Sequence, residues 1–196
     1  PDPNRFPDGY GADVADILRF NRMVIDATAD YACCVKPQYA HYAAHSAEAA
    51  LEGTIEYAHS IGLPVLLDVK RADIGSTAEY YAAEAFDRYG ADAATVNPYL
   101  GQDALAPFLD RTDKGIVILC RTSNPGGADL QHLQLADGGM LYEHVARLAS
   151  REWNAAGNVL LLVGATRPEE LRKVRSIVGD MGILLAGVGA QGADVR

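Results

Sequence analysis

The amino-acid sequence predicts an α/β fold of repeated strand–helix units, a (β/α)8 barrel of the TIM type. Three observations carry this expectation. Short apolar runs alternate with amphipathic helical stretches along the chain. The runs are apolar throughout rather than at every second residue, as strands are when both faces of a sheet are covered. Nearly every run ends on its C-terminal side in polar or glycine residues, and in a parallel sheet those ends converge on one face. Six such ends suit a ring better than the crevice of an open doubly wound sheet.

Strands are expected at 31–35, 65–69, 93–96, 116–120, 159–163 and 183–186, each an apolar run of strand length. Helices are expected at 12–28, 46–61, 77–89, 101–109, 140–156 and 168–178. The last opens on Pro168 followed by Glu169 and Glu170, a helix-start signal. Six strands fall two short of a closed barrel of eight. No strand precedes the first helix, and the sequence stops at Asp194-Val195-Arg196, where a seventh helix should begin. The expectation is therefore one barrel domain over 1–196, lacking its first and last strands.

Composition narrows the function classes. Of 196 residues, 49% are hydrophobic and 22% charged, which excludes an intrinsically disordered chain. No apolar run approaches the roughly 18–20 residues of a membrane helix. The opening Pro-Asp-Pro-Asn-Arg-Phe-Pro has neither the basic start nor the apolar stretch of a signal peptide. Seventeen Lys and Arg against 26 Asp and Glu give a net charge of −9, which argues against nucleic-acid or anionic-membrane partners. Three cysteines, an odd count without metal spacing, point to a reducing cytoplasm rather than a disulfide scaffold. Cys33 and Cys34 lie in the first apolar run and read as strand packing. His41 and His45 lack a third metal ligand.

The chemistry concentrates in Leu67-Asp68-Val69-Lys70-Arg71-Ala72-Asp73-Ile74. Asp68 and Lys70 are two apart on a strand, so an extended backbone projects both from one face. Asp73 follows in the next loop, and Lys36 ends the preceding strand. Two lysines and two aspartates form a neutral alternating cluster, the arrangement in which buried charge is tolerated. A held carboxylate disfavours a substrate negative charge that must be lost. A held ammonium stabilises a developing carbanion and then protonates it. The spacing alone equally allows a salt-bridge network closing the barrel mouth. Beyond it, Thr122 to Gly138 is long, polar and Gly-rich, like a lid.

The run Val65-Leu66-Leu67-Asp68-Val69-Lys70-Arg71-Ala72-Asp73-Ile74-Gly75-Ser76-Thr77-Ala78 resembles the signature of the orotidine 5′-phosphate decarboxylase family. Further segments agree with its longer bacterial branch and occur in the family's order. They are Val35-Lys36-Pro37-Gln38, Thr95-Val96-Asn97-Pro98-Tyr99-Leu100-Gly101, Arg121-Thr122-Ser123-Asn124-Pro125-Gly126, Val163-Gly164-Ala165-Thr166 and Gly187-Val188-Gly189-Ala190-Gln191-Gly192. The resemblance implies a cytoplasmic, usually homodimeric (β/α)8 barrel. Such an enzyme converts orotidine monophosphate to uridine monophosphate, in pyrimidine biosynthesis, without metal or cofactor. It implies Lys70 as proton donor to C6, Asp68 facing the departing carboxylate and Lys36 as the second lysine of the network. Asp73 and Thr77 resemble residues that cross the dimer interface into the neighbour's site. Ser123 matches the contact to the pyrimidine amide edge, and Gln191 the side chain bridging that region to the 5′-phosphate. The family's ribose aspartate and phosphate arginine belong to the first and last strands and have no counterpart in this sequence.

Two other readings stand beside it. One is a related D-x-K-x-x-D barrel that uses Mg²⁺ on a sugar phosphate as a decarboxylase or aldolase. The other is a non-catalytic nucleotide-binding remnant. The Thr-Ser-Asn-Pro-Gly and Gly-Ala-Gln-Gly segments favour the metal-independent decarboxylase.

Overall fold

The computed structural model describes residues 2–136 and 138–188. Helix α1 (Val14–Thr28) starts at Asp13, whose side chain accepts from the Asp16 amide. A short helix α2 (Tyr39–Ala43) and α3 (Glu48–Ser60) precede strand β1 (Leu66–Arg71). Helix α4 (Gly75–Ala83) continues as a π-helical turn over Glu84–Arg88. Strand β2 (Ala93–Val96), helix α5 (Gln102–Leu109) and strand β3 (Gly115–Arg121) follow. Then come the short α6 (Ala128–Gln131), α7 (Leu141–Arg151), β4 (Val159–Gly164), α8 (Pro168–Val178) and β5 (Ile183–Ala186). The five strands form one sheet in sequence order, β1-β2-β3-β4-β5. Pairs β3–β4 and β4–β5 are parallel. Consecutive order with helical crossovers is the α/β architecture expected of the sequence.

The run expected as a first strand, 31–35, is not one. Residues Ala29–Tyr31 form a 3-10 turn, and only Val35 and Gln38 make parallel bridges, to Val65 and Asp68. Proline explains why the bridges at Val35 and Gln38 stay isolated. Val35 N donates to Pro64 O, Leu66 N to Val35 O and Asp68 N to Pro37 O. The next rung of a parallel ladder would be donated by residue 37, and Pro37 has no N–H. Cys33 is accordingly exposed and Cys34 half-buried, not packed inside a strand.

The chain divides into two compact units, residues 1–69 with 80–94, and residues 70–79 with 95–196. In the first, α1 packs on α3 through Ile17, Ile25, Leu51, Ile55 and Ala58, all buried. Buried Asn21 is satisfied there by donating to Tyr42 Oη and Thr54 Oγ1, each at 2.8 Å. Asp92 accepts from the Val65 amide at 2.7 Å and so joins the start of β2 to that of β1. In the second unit, α7 covers β3 and β4 with Ala146 and Ala149 buried, and α8 packs on α7. Small residues on that face of α7 suit close approach to a sheet of Ile, Val and Leu.

Candidate active site

In the first unit, the bridges at Val35 and Gln38 bring Lys36 alongside β1. Lys36 Nζ donates to Asp68 Oδ2 at 2.9 Å, and Gln38 Nε2 reaches the same oxygen at 3.4 Å. Asp68 is 4% exposed, whereas the Lys36 side chain stays open to solvent. This is one Lys–Asp pair of the four-charge cluster that the sequence suggests, a buried carboxylate held by a cation.

In the second unit, Lys70 departs from what the spacing implies. Its φ is +48°, in the left-handed region, although it lies inside β1. The period-two rule assumes extended backbone, so the placement of Lys70 does not follow from the spacing. Its amide donates to Thr95 Oγ1 at 2.9 Å, and Thr95 is fully buried on β2. Asn97 N donates to Arg71 O at 2.9 Å just beyond. A non-glycine residue at positive φ is sterically costly and persists where surrounding bonds hold it. Lys70 is exposed.

Asp73 follows the strand, and its Oδ1 accepts from the Ile74 amide at 2.8 Å. Thr77 lies exposed on α4. Ser123 follows β3 and is half-buried. Gln191 lies outside the described residues, as does most of the Gly187–Gly192 segment. The segment after β3, which reads in sequence as a lid, has internal structure. Pro125–Gly127 form a 3-10 turn, α6 follows, and Gln134 bridges antiparallel to Met140.

Three contributors lie inside the segments that carry the resemblance, yet the sequence reading gives none of them a role of its own: Gln38, Thr95 and the buried Arg121. A separate apolar cavity of about 530 Å³, lined by Tyr99, Leu119, Cys120, Tyr142, Leu148 and Trp153 among others, contains none of the sequence-predicted site residues. Among the described residues, no group of three or more His, Cys, Asp or Glu side chains is placed to hold a metal ion.

Residues 10–196 match the family model described as orotidine 5′-phosphate decarboxylase / HUMPS family. The chain is 54% identical over 197 residues to the orotidine 5′-phosphate decarboxylase of Aromatoleum aromaticum, covering 100% of this chain and 73% of that protein. Among solved structures it is similar to Leishmania donovani OMP decarboxylase, at 41% identity and a TM-score of 0.84. That match covers 88% of this chain and 69% of the other. Leishmania donovani UMP synthase matches with a TM-score of 0.90 and 41% identity, over 95% of this chain and 42% of the synthase.

Proposed function

Because the chain belongs to the orotidine 5′-phosphate decarboxylase / HUMPS family, we propose that its Asp68–Lys70 element performs the family's decarboxylation with Lys70 as acid. The protein is a carboxy-lyase of pyrimidine biosynthesis that converts orotidine 5′-monophosphate to uridine 5′-monophosphate. The Aromatoleum aromaticum relative and the Leishmania donovani OMP decarboxylase carry the decarboxylase name, which favours this over a Mg²⁺-dependent sugar-phosphate reaction. We read residues 1–196 as one decarboxylase-like barrel domain.

The observation that carries the reading is the buried carboxylate of Asp68 held by Lys36, two residues before Lys70. When the C6–carboxylate bond breaks, CO₂ departs and the electron pair remains on C6. The Lys70 ammonium then gives that carbon its proton, and the neutral amine recovers a proton from water. Fixed negative charge at Asp68 raises the energy of the bound substrate carboxylate and relaxes as CO₂ leaves. A general acid supplies only about 10²–10⁴-fold. The larger part comes from preorganised charge and from binding energy at the remote phosphate. In this scheme Lys36 holds the Asp68 carboxylate in place, Ser123 meets the pyrimidine amide edge, and Gln191 reaches toward the phosphate.

Asp73 and Thr77 serve the neighbour's site in a homodimer. The adjoining Ile74, 61% exposed, supports a partner surface there. No helix among the described residues is long and apolar enough to cross a membrane. The odd cysteine count supports a cytoplasmic enzyme.

Calorimetry with 6-hydroxyuridine 5′-monophosphate, a carbanion mimic, tests the scheme. Tight binding that collapses in Lys70→Ala is expected, alongside turnover of orotidine monophosphate that EDTA leaves unchanged. A folded protein that binds none of the mimic would overturn it. So would activity lost with EDTA and restored by Mg²⁺.

A further inference from the structure

Arg121 ends β3 with 1% of its surface exposed, a depth at which a guanidinium must be paired. A bulge sets it there. Leu119 pairs with Leu162, and Arg121 pairs with the next residue, Val163, leaving Cys120 as the extra residue. Arg121 Nε lies 2.5 Å from Glu170 Oε2 on α8. Its Nη1 donates to Thr122 O at 2.6 Å and to Gln131 Oε1 at 3.1 Å. Gln131 Oε1 also accepts from the Thr122 amide at 2.9 Å, and Gln131 Nε2 donates to Thr122 Oγ1 at 2.9 Å. The second oxygen of Glu170 meets His132 Nε2 at 2.9 Å. One buried cation with its carboxylate thus gathers Thr122, Gln131 and His132, residues at the start and in the middle of the segment between β3 and α7.

Two glycines complete the packing. A Cβ on Gly127 would stand 2.9 Å from Arg121 Nη1 and 2.6 Å from Thr122 Oγ1. A Cβ on Gly164, the last residue of β4, would stand 2.8 Å from Ser123 Cα and 2.9 Å from its amide nitrogen. Those are backbone atoms, which cannot swing aside as a side-chain tip can. Ser123 is therefore seated between the Arg121 knot and the bare backbone of β4.

We propose that Arg121, with Glu170 and Gly164, is the positioning apparatus for Ser123, fixing where the hydroxyl meets the pyrimidine without itself touching substrate. The inference rests on the reading of Ser123 as a substrate contact. The planar fork of arginine serves two acceptors and an ion pair at once. Lysine keeps the charge but not that geometry. Contacts that bind substrate and transition state alike appear in KM rather than kcat.

Steady-state kinetics on orotidine monophosphate with Arg121→Lys and Gly164→Ala test this, with Ser123→Ala alongside. Each of the first two is expected to raise KM about tenfold or more with kcat within about threefold of the parent, as Ser123→Ala does. Gly182→Ala, whose added methyl meets only the movable side chain of Leu160, leaves KM unchanged. Glu170→Gln, which keeps shape and loses charge, replaces Arg121→Lys if that variant does not fold. A KM rise in Ser123→Ala with parental KM in the folded positioning variants overturns the positioning role. Parental KM in Ser123→Ala overturns the reading of Ser123 on which it rests.

Discussion

Lys36 and Asp68 meet at 2.9 Å, although one lies in a segment that makes only isolated bridges and the other inside a regular strand. The pair joins a solvent-exposed ammonium to a buried carboxylate, so removing either partner has unequal consequences. Lys36→Ala leaves Asp68 with less compensation and lowers stability by about 1–3 kcal/mol, toward the lower end because the lysine is half in water. Asp68→Asn removes the charge and lowers kcat by roughly 10²–10³-fold. The double variant regains stability in urea melts but not turnover. A folded Asp68→Asn enzyme with parental kcat would remove Asp68 from the chemistry.

The left-handed backbone of Lys70 has a separable cost. A non-glycine residue there is disfavoured by roughly 1–2 kcal/mol. Glycine escapes that but loses roughly 0.5–1 kcal/mol through the freedom of its unfolded chain. Lys70→Gly should therefore be more stable than Lys70→Ala by about 0.5–1 kcal/mol in urea unfolding, with both decarboxylating at least about 10²-fold more slowly than the parent. Equal urea midpoints would show that position 70 is unstrained.

Thr95 supports that same residue from β2. Thr95→Val keeps the shape of the side chain and removes the acceptor for the Lys70 amide. Losing the acceptor of this part-buried amide costs about 1 kcal/mol. The same variant should lower kcat more than it raises KM, since it loosens the acid rather than the binding groups. Parental stability and kinetics would mean that the bond is idle.

Assembly can be checked by mixing inactive variants. With Asp73 serving the neighbour's site, heterodimers of Lys70→Ala and Asp73→Ala contain one site with both residues intact. Mixing should recover up to about a quarter of parental activity per total active site, in line with random pairing and one competent site per mixed dimer. Verified mixed dimers without recovery would place every site inside one chain.

Thiol chemistry follows burial. Cys120, whose Sγ donates to Tyr142 O at 3.2 Å, is pushed up to about 12 by burial. Burial also raises Cys34, with Cys33 beside it adding to the effect. Thiolate is the reactive form. Iodoacetamide near neutral pH should label exposed Cys33 first and Cys120 only after unfolding. Because Cys120 is raised above its ordinary 9.0, its contribution to stability is complete below that pH. It is lost as pH climbs toward 12, where the unfolded chain releases the proton first. Cys120→Val should flatten that alkaline slope, and rapid native labelling of Cys120 would contradict its burial.

The order of strands and helices was legible in the sequence because it depends on local periodicity and end signals. Pro168 with Glu169 and Glu170 marks α8 at its observed start, and the apolar runs at 116–120 and 159–163 fall inside β3 and β4. The D-x-K-x-x-D spacing likewise singled out Asp68, Lys70 and Asp73 as candidates, although the left-handed backbone of Lys70 departs from the extended geometry that the spacing assumes. Tertiary structure decided what depends on partners distant in the chain. Whether Val35 and Gln38 join in one continuous ladder turned on the missing N–H of Pro37 opposite β1. The left-handed turn of Lys70 became visible only with Thr95 beneath its amide, and the burial of Arg121 only with Glu170 from α8 beside it. A charged residue at a strand end reads as solvent-facing until an acid from another element makes its burial affordable. That pairing is a property of the fold, not of the local sequence.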